Sequence, residues 1–146
     1  MRLWHVDLLP YLPDLQFRGQ FRELVAIMHD WRDKGKTNHL LINKVMEYPV
    51  SDFYKYFLTY ANEWNKRYTK VIDEKYYKEF ADFCGLDSIE ENTECFKGWH
   101  NNNYLKVCMA NLYEKHVGVG NSRVTDIEWE KLCYGYKKIT HRKYKI

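Results

Sequence analysis

The sequence contains no hydrophobic run approaching the roughly 20 apolar residues that a membrane-spanning helix requires, so no membrane partner is expected. Glycine (7) and proline (3) are scarce among 146 residues, which argues against disorder and against a turn-rich all-β fold. Cysteine is confined to Cys84, Cys95, Cys108 and Cys133, with no Cys-x-x-Cys pair. A zinc site is therefore not expected, and the four are read as free packing thiols. The six histidines form no His-x-x-x-His pair, which leaves a metal-dependent nuclease without its usual ligands. Neither a metal nor any other cofactor is expected. Asp7, Pro10 and Pro13 interrupt any signal-peptide core near the start, so an intracellular, cytoplasmic location is expected.

Net charge is also small, +3, and by itself does not announce a nucleic-acid partner. Its distribution is uneven. Five bases and no acid lie between Tyr134 and Ile146, whereas eight acids face three bases between Lys70 and Glu94. The basic end is either a phosphate-binding tail or a solvated terminus.

What the chain does have is apolar and aromatic substance: 45% hydrophobic residues, 17% aromatic, with 13 tyrosines. That is enough for one domain, spanning 1–146, with a real core. No repeat, linker or low-complexity segment divides it. Residues 1–13 read as an extended arm, because Pro10 and Pro13 oppose a regular helix. Asp14 offers an N-cap, and Phe17, Phe21, Leu24, Met28 and Trp31 then recur at helical spacing up to Gly35. Further helices are expected over Asn38–Tyr48, from Ser51 or Asp52 through Trp64, over Asp73–Cys84, from Leu105 to His116, and from Thr125 or Asp126 to Cys133. Leu86 to Asn103 reads as a long connection. The expected fold is all-α, a compact helical domain with its N-terminal arm packed near the first helix.

At 100° per residue, Gln16, Gly19 and Glu23 share a narrow face of the first helix, with Arg18 and Arg22 beside it. Periodicity alone makes these residues the solvated side of an amphipathic helix. The segments around them say more. Met1-Arg2-Leu3 at the start and Gln20-Phe21-Arg22-Glu23-Leu24 resemble the pyrimidine-dimer DNA glycosylase/AP lyase family of the phage endonuclease V type. The opening Arg-Leu-Trp-His followed by Asp-Leu-Leu-Pro-Tyr-Leu-Pro is similar to a bacterial branch of that family. The likeness is strongest over residues 1–24 and looser over Tyr48–Tyr68, with a faint echo at Tyr134–Lys137.

The resemblance implies a DNA-repair enzyme whose partner is double-stranded damaged DNA and whose N-terminal α-amine is the nucleophile. The family's amine falls here on Met1, and its acid/base glutamate on Glu23. An α-amine has an unperturbed pKa of about 7.7–8.0, well below that of lysine, so more of it is neutral near pH 7. Arg2, if close, would depress it further. The resemblance also implies DNA contacts from Arg2, Gln16, Arg18, Arg22 and Lys137, with no metal and a monomeric chain. Two departures stand out. Gln16 replaces the family's histidine near the helix start, and Val25-Ala26 replaces its Pro-Arg. They weigh lyase chemistry above dimer specificity. The rival reading is a non-catalytic helical module that binds nucleic acid or protein. His5, close in sequence to the amine, and Trp129, Tyr134 and Tyr136, near the basic tail, are secondary candidates.

Overall fold

A computed structural model describes residues 2–40, 42–85, 94–121 and 123–146. Among these residues there are no strands. Five α-helices carry the fold: α1 (Asp14–Lys34), α2 (Val50–Arg67), α3 (Glu74–Cys84), α4 (Asn102–Val117) and α5 (Asp126–Thr140). Two 3-10 segments, Val6–Tyr11 and Ile42–Glu47, complete the regular structure. The all-α expectation is met, and all four cysteines are free.

α2 forms the centre. Phe53, Tyr56, Phe57 and Tyr60 on it are completely buried. Phe17 of α1 stacks on Tyr60 with ring centroids 4.5 Å apart, and Phe80 of α3 stacks on Phe57 at 3.9 Å. These rings meet because i, i+3 and i+4 positions share one helix face. The Tyr60 hydroxyl donates to Phe17 O at 2.6 Å, so the ring's one polar atom is also satisfied inside the core.

The arm differs from expectation in part. Residues 2–5 are extended, but Val6–Tyr11 winds into a 3-10 helix with Pro10 inside it. A 3-10 turn is short enough to tolerate a proline near its end. Its C-terminal end is held by Arg67 at the end of α2, which donates to Leu9 O inside it and to Leu12 O just beyond it, both at 2.8 Å. The same guanidinium lies 4.0 Å over the Phe17 ring.

Helix ends also depart from the sequence reading. Pro13 and Pro49, not Asp14 or Ser51 and Asp52, occupy the N-cap positions of α1 and α2. Proline's fixed φ prepares a helix start without a side-chain cap. Asn38–Tyr48 is reduced to the 3-10 segment from Ile42, and Leu41 lies outside the described residues. Asp73 and Gly85 bound α3 as their residue types require, Gly85 at φ 68°. α4 ends at Gly118. Thr125 caps α5 in a capping box with Glu128. α5 does not stop at Cys133; it runs seven residues further, to Thr140. Within the long connection, Leu86–Thr93 lies outside the described residues.

Candidate active site

An extended arm has no strand beside it, yet its buried backbone groups need partners. Side chains supply them. Arg2 N donates to Glu23 Oε2 at 3.0 Å, and Trp4 N donates to Gln20 Oε1 at 2.9 Å. Gln20 Nε2 donates to Arg2 O at 2.7 Å and lies 3.3 Å from Glu23 Oε2. The Tyr104 hydroxyl of α4 donates to Leu3 O at 2.5 Å. The Tyr56 hydroxyl of α2 donates to Trp4 O at 2.5 Å, with Gln20 Oε1 3.2 Å away. Val6 N donates to His100 Nδ1 at 3.0 Å, and Asp7 N to His5 Nδ1 at 3.1 Å. Among the described residues, the arm is thus sewn to α1, α2 and α4 through side-chain hydrogen bonds, with its own Leu3, Trp4 and His5 buried.

The electrostatics follow from burial. Tyr56 and Tyr104 are pushed well up by loss of solvent and remain neutral donors. His100 is pushed down to about 2, first by burial and then by His5 beside it. His5 is lowered by burial, partly offset by Asp7. The two imidazoles stack at 5.2 Å, and Tyr104 continues the stack 5.0 Å from His100. Because His100 Nδ1 accepts a hydrogen bond, its proton is assigned to Nε2.

Glu23 is half-buried at the edge of this arrangement, with Arg22 exposed beside it. Arg2 places its guanidinium 5.4 Å over the Trp4 ring. It also lines a recess of about 410 Å³ with Ile42, Lys44, Trp99, Tyr104 and Val107. An apolar, aromatic floor with cations at the rim suits a flat, partly polar group attached to an anion.

The structure therefore brings Arg2 and Glu23 together across 21 positions of sequence. Met1 lies outside the described residues. Gln16 shares the arm-facing side of α1 but is largely buried, 9% exposed. Arg18 is exposed and ion-paired with Asp14 at 2.9 Å. Lys137 is exposed on α5. The sequence reading missed Gln20, Tyr56, His100 and Tyr104. Gln20 left one signal: a polar residue in register with Phe17, Leu24 and Ile27 on the buried face. His100 and Tyr104 act on residues about a hundred positions away and left none.

Fold and site together define a helical protein in which the backbone of Arg2 is clasped against a carboxylate of the first long helix. By its family model, which matches residues 1–76, the chain belongs to the pyrimidine dimer DNA glycosylase family. That family name implies DNA as the substrate. No curated protein and no solved structure matches the chain.

Proposed function

We propose that this protein repairs DNA as a glycosylase and AP lyase, acting on damaged pyrimidines, cyclobutane dimers among them, or on abasic sites. The Met1 α-amine attacks C1′ of the damaged nucleotide. The C1′–N bond breaks, and the base departs with the electron pair and is protonated. The new nitrogen loses a proton and the C1′–O4′ bond opens, O4′ taking a proton, which leaves a C1′ iminium; at an abasic site the amine adds to the C1′ aldehyde and water leaves instead. The iminium then loses a C2′ proton, the C3′–O bond breaks, and the 3′ strand leaves as its 5′-phosphate. Hydrolysis of the imine frees the amine. Glu23 stabilises the cationic intermediate and carries protons, a contribution typically of about 10²–10⁴ in rate.

The observation that carries this reading is the 3.0 Å hydrogen bond from Arg2 N to Glu23 Oε2. The α-nitrogen of residue 1 is three covalent bonds from Arg2 N, a span of less than about 4 Å at any torsion. The reading requires that nitrogen to be a free amine. Arg2 and Arg22, without ion pairs among the described residues, are proposed to hold phosphates beside the lesion. Gln16, Arg18 and Lys137 are proposed as further DNA contacts. The recess beside Arg2 supports extrusion of a nucleotide from the stack. The chain is proposed to act as a monomeric, intracellular, single-domain unit.

Borohydride trapping on an abasic duplex tests the chemistry. A covalent adduct is expected, mapping to Met1 by peptide mass spectrometry and abolished by N-terminal acetylation. Glu23→Gln is expected to slow strand cleavage by roughly 10²-fold or more while DNA binding persists. An adduct on a lysine, or parental cleavage by Glu23→Gln, would sink the mechanism. Full DNA binding with no trapping by the parent would leave the non-catalytic module.

A further inference from the structure

Several cations on the molecule are neutralised locally. Arg32 meets Asp33 and Glu79 at 2.8 and 3.1 Å, Lys34 meets Asp30 at 3.7 Å, and Arg67 meets Glu63 at 3.1 Å. The pattern changes where α4 begins and the chain ends. Lys106, Arg142, Lys143 and Lys145, together with Asn102 and Tyr144, line a recess of about 810 Å³ that no acid lines. None of these four cations is in an ion pair among the described residues.

The segment that carries three of them is anchored. His141 ends α5 in the left-handed region, at φ 61°, and turns the chain. Arg142 N donates to Thr140 Oγ1 at 3.1 Å. Tyr144 packs edge-on against Trp129 at 5.7 Å and Tyr136 at 5.2 Å. Four like charges are thus held around one opening. At physiological salt, charges within about 8 Å still feel one another, and an anion with several negative groups relieves that repulsion.

The recess also lies beside the candidate active site, across the start of α4. Asn102 and Lys106 face it, while their chain neighbours Asn103 and Val107 line the apolar recess that ends at Arg2. The first two turns of α4 are the shared wall. The family match stops at residue 76, so none of the four cations falls within it.

We propose that this basic recess holds backbone phosphates of the DNA strand that leaves the reaction centre. The strand then runs from Glu23 and Arg2 across the start of α4 to Arg142, Lys143 and Lys145. The position of the reacting nucleotide in this path rests on the proposed function above; the recess itself does not.

Each phosphate neutralised contributes about −0.9 to the slope of log K against log[salt]. The test compares that slope, on an abasic duplex, for the parent and for the triple variant Lys106→Ser, Arg142→Ser, Lys143→Ser. All three side chains are exposed. The variant is expected to flatten the slope by about 2–3 and to lose at least roughly ten-fold in affinity at physiological salt. Lys78→Ser on α3, which lines neither recess, leaves the slope near that of the parent. A triple variant with the parental slope overturns the proposal, as does a Lys78→Ser variant that flattens it equally. Weakened binding of inorganic pyrophosphate with an unchanged DNA slope marks a free-anion site and also overturns it. A flattened slope with no trapping by the parent upholds the phosphate site and removes the lyase reading instead.

Discussion

Glu23 alone does not make a site; its surroundings do. One of its oxygens accepts from Arg2 N, and Gln20 stands between it and the arm. Gln20 uses its carbonyl for Trp4 N and its amide for Arg2 O, and it is 1% exposed. Gln20→Met keeps the volume but leaves the arm's amide and carbonyl without partners. Each buried orphan costs about 1–3 kcal/mol, so the variant is expected to lose roughly 2 kcal/mol or more in urea unfolding. If Gln20 positions Glu23 against the chain start, trapping by the still-folded variant also falls, by roughly ten- to a hundred-fold, while DNA affinity holds. Trapping at the parental rate would reduce Gln20 to a structural clasp.

At the scale of elements, the contact between α5 and the 3-10 helix of the arm explains why α5 outruns its expected end. Gly135 lies just past the expected end at Cys133, and glycine weakens helix interiors. Here it is the point of closest approach. A Cβ at Gly135 would come within 2.9 Å of Tyr11 Cβ and closer still to its ring. The helix continues because the packing gained there outweighs glycine's entropic cost, about 1 kcal/mol. Gly135→Ala is therefore expected to destabilise the fold by about 1–3 kcal/mol, despite alanine's better helix propensity. Equal or higher stability in urea unfolding would mean that Tyr11 moves aside freely. Where side chains act on their own helix, the sequence was legible: Thr125, one of its two candidate caps, caps α5, Asp73 caps α3, and Gly35 and Gly85 close α1 and α3. Pro13 and Pro49 were harder to read, because they start helices through backbone geometry and not through a bonding side chain.

For the whole molecule, the buried His5 and the half-buried His100 tie pH to the arm. His100 is held neutral, with its pKa lowered from 6.5 to about 2. The unfolded chain therefore binds this proton more readily than the folded one. Stability from this group is fully present above about pH 6.5 and is lost progressively as pH falls toward 2. The expected slope is about 1.4 kcal/mol per pH unit over that window, and His5, also lowered, adds to it. Urea unfolding at pH 7, 6 and 5 should show the loss, and His100→Phe should flatten it. A pH-independent parent over that range would mean that the imidazoles gain solvent or a counter-charge on protonation. The same assembly sets the charge layout, since the C-terminal cations meet the start of α4 only in the folded chain.

The sequence by itself determined the helical class, the buried stripes of α1 and α2 and most helix stops; Glu23 it marked only through the family resemblance, not through helix periodicity. The helical features depend on neighbours three or four positions apart, whose geometry the helix fixes in advance. Only the tertiary structure decided that the arm lies along Gln20 and Glu23, that Tyr56, His100 and Tyr104 satisfy its backbone, and that Lys106 joins the C-terminal cations. Each of these pairs residues separated by tens of positions, and their meeting depends on how all the helices pack. Local spacing carries no information about such closure. Burial of the arm's polar backbone, which leaves no water to satisfy it, is what makes those distant partners obligatory.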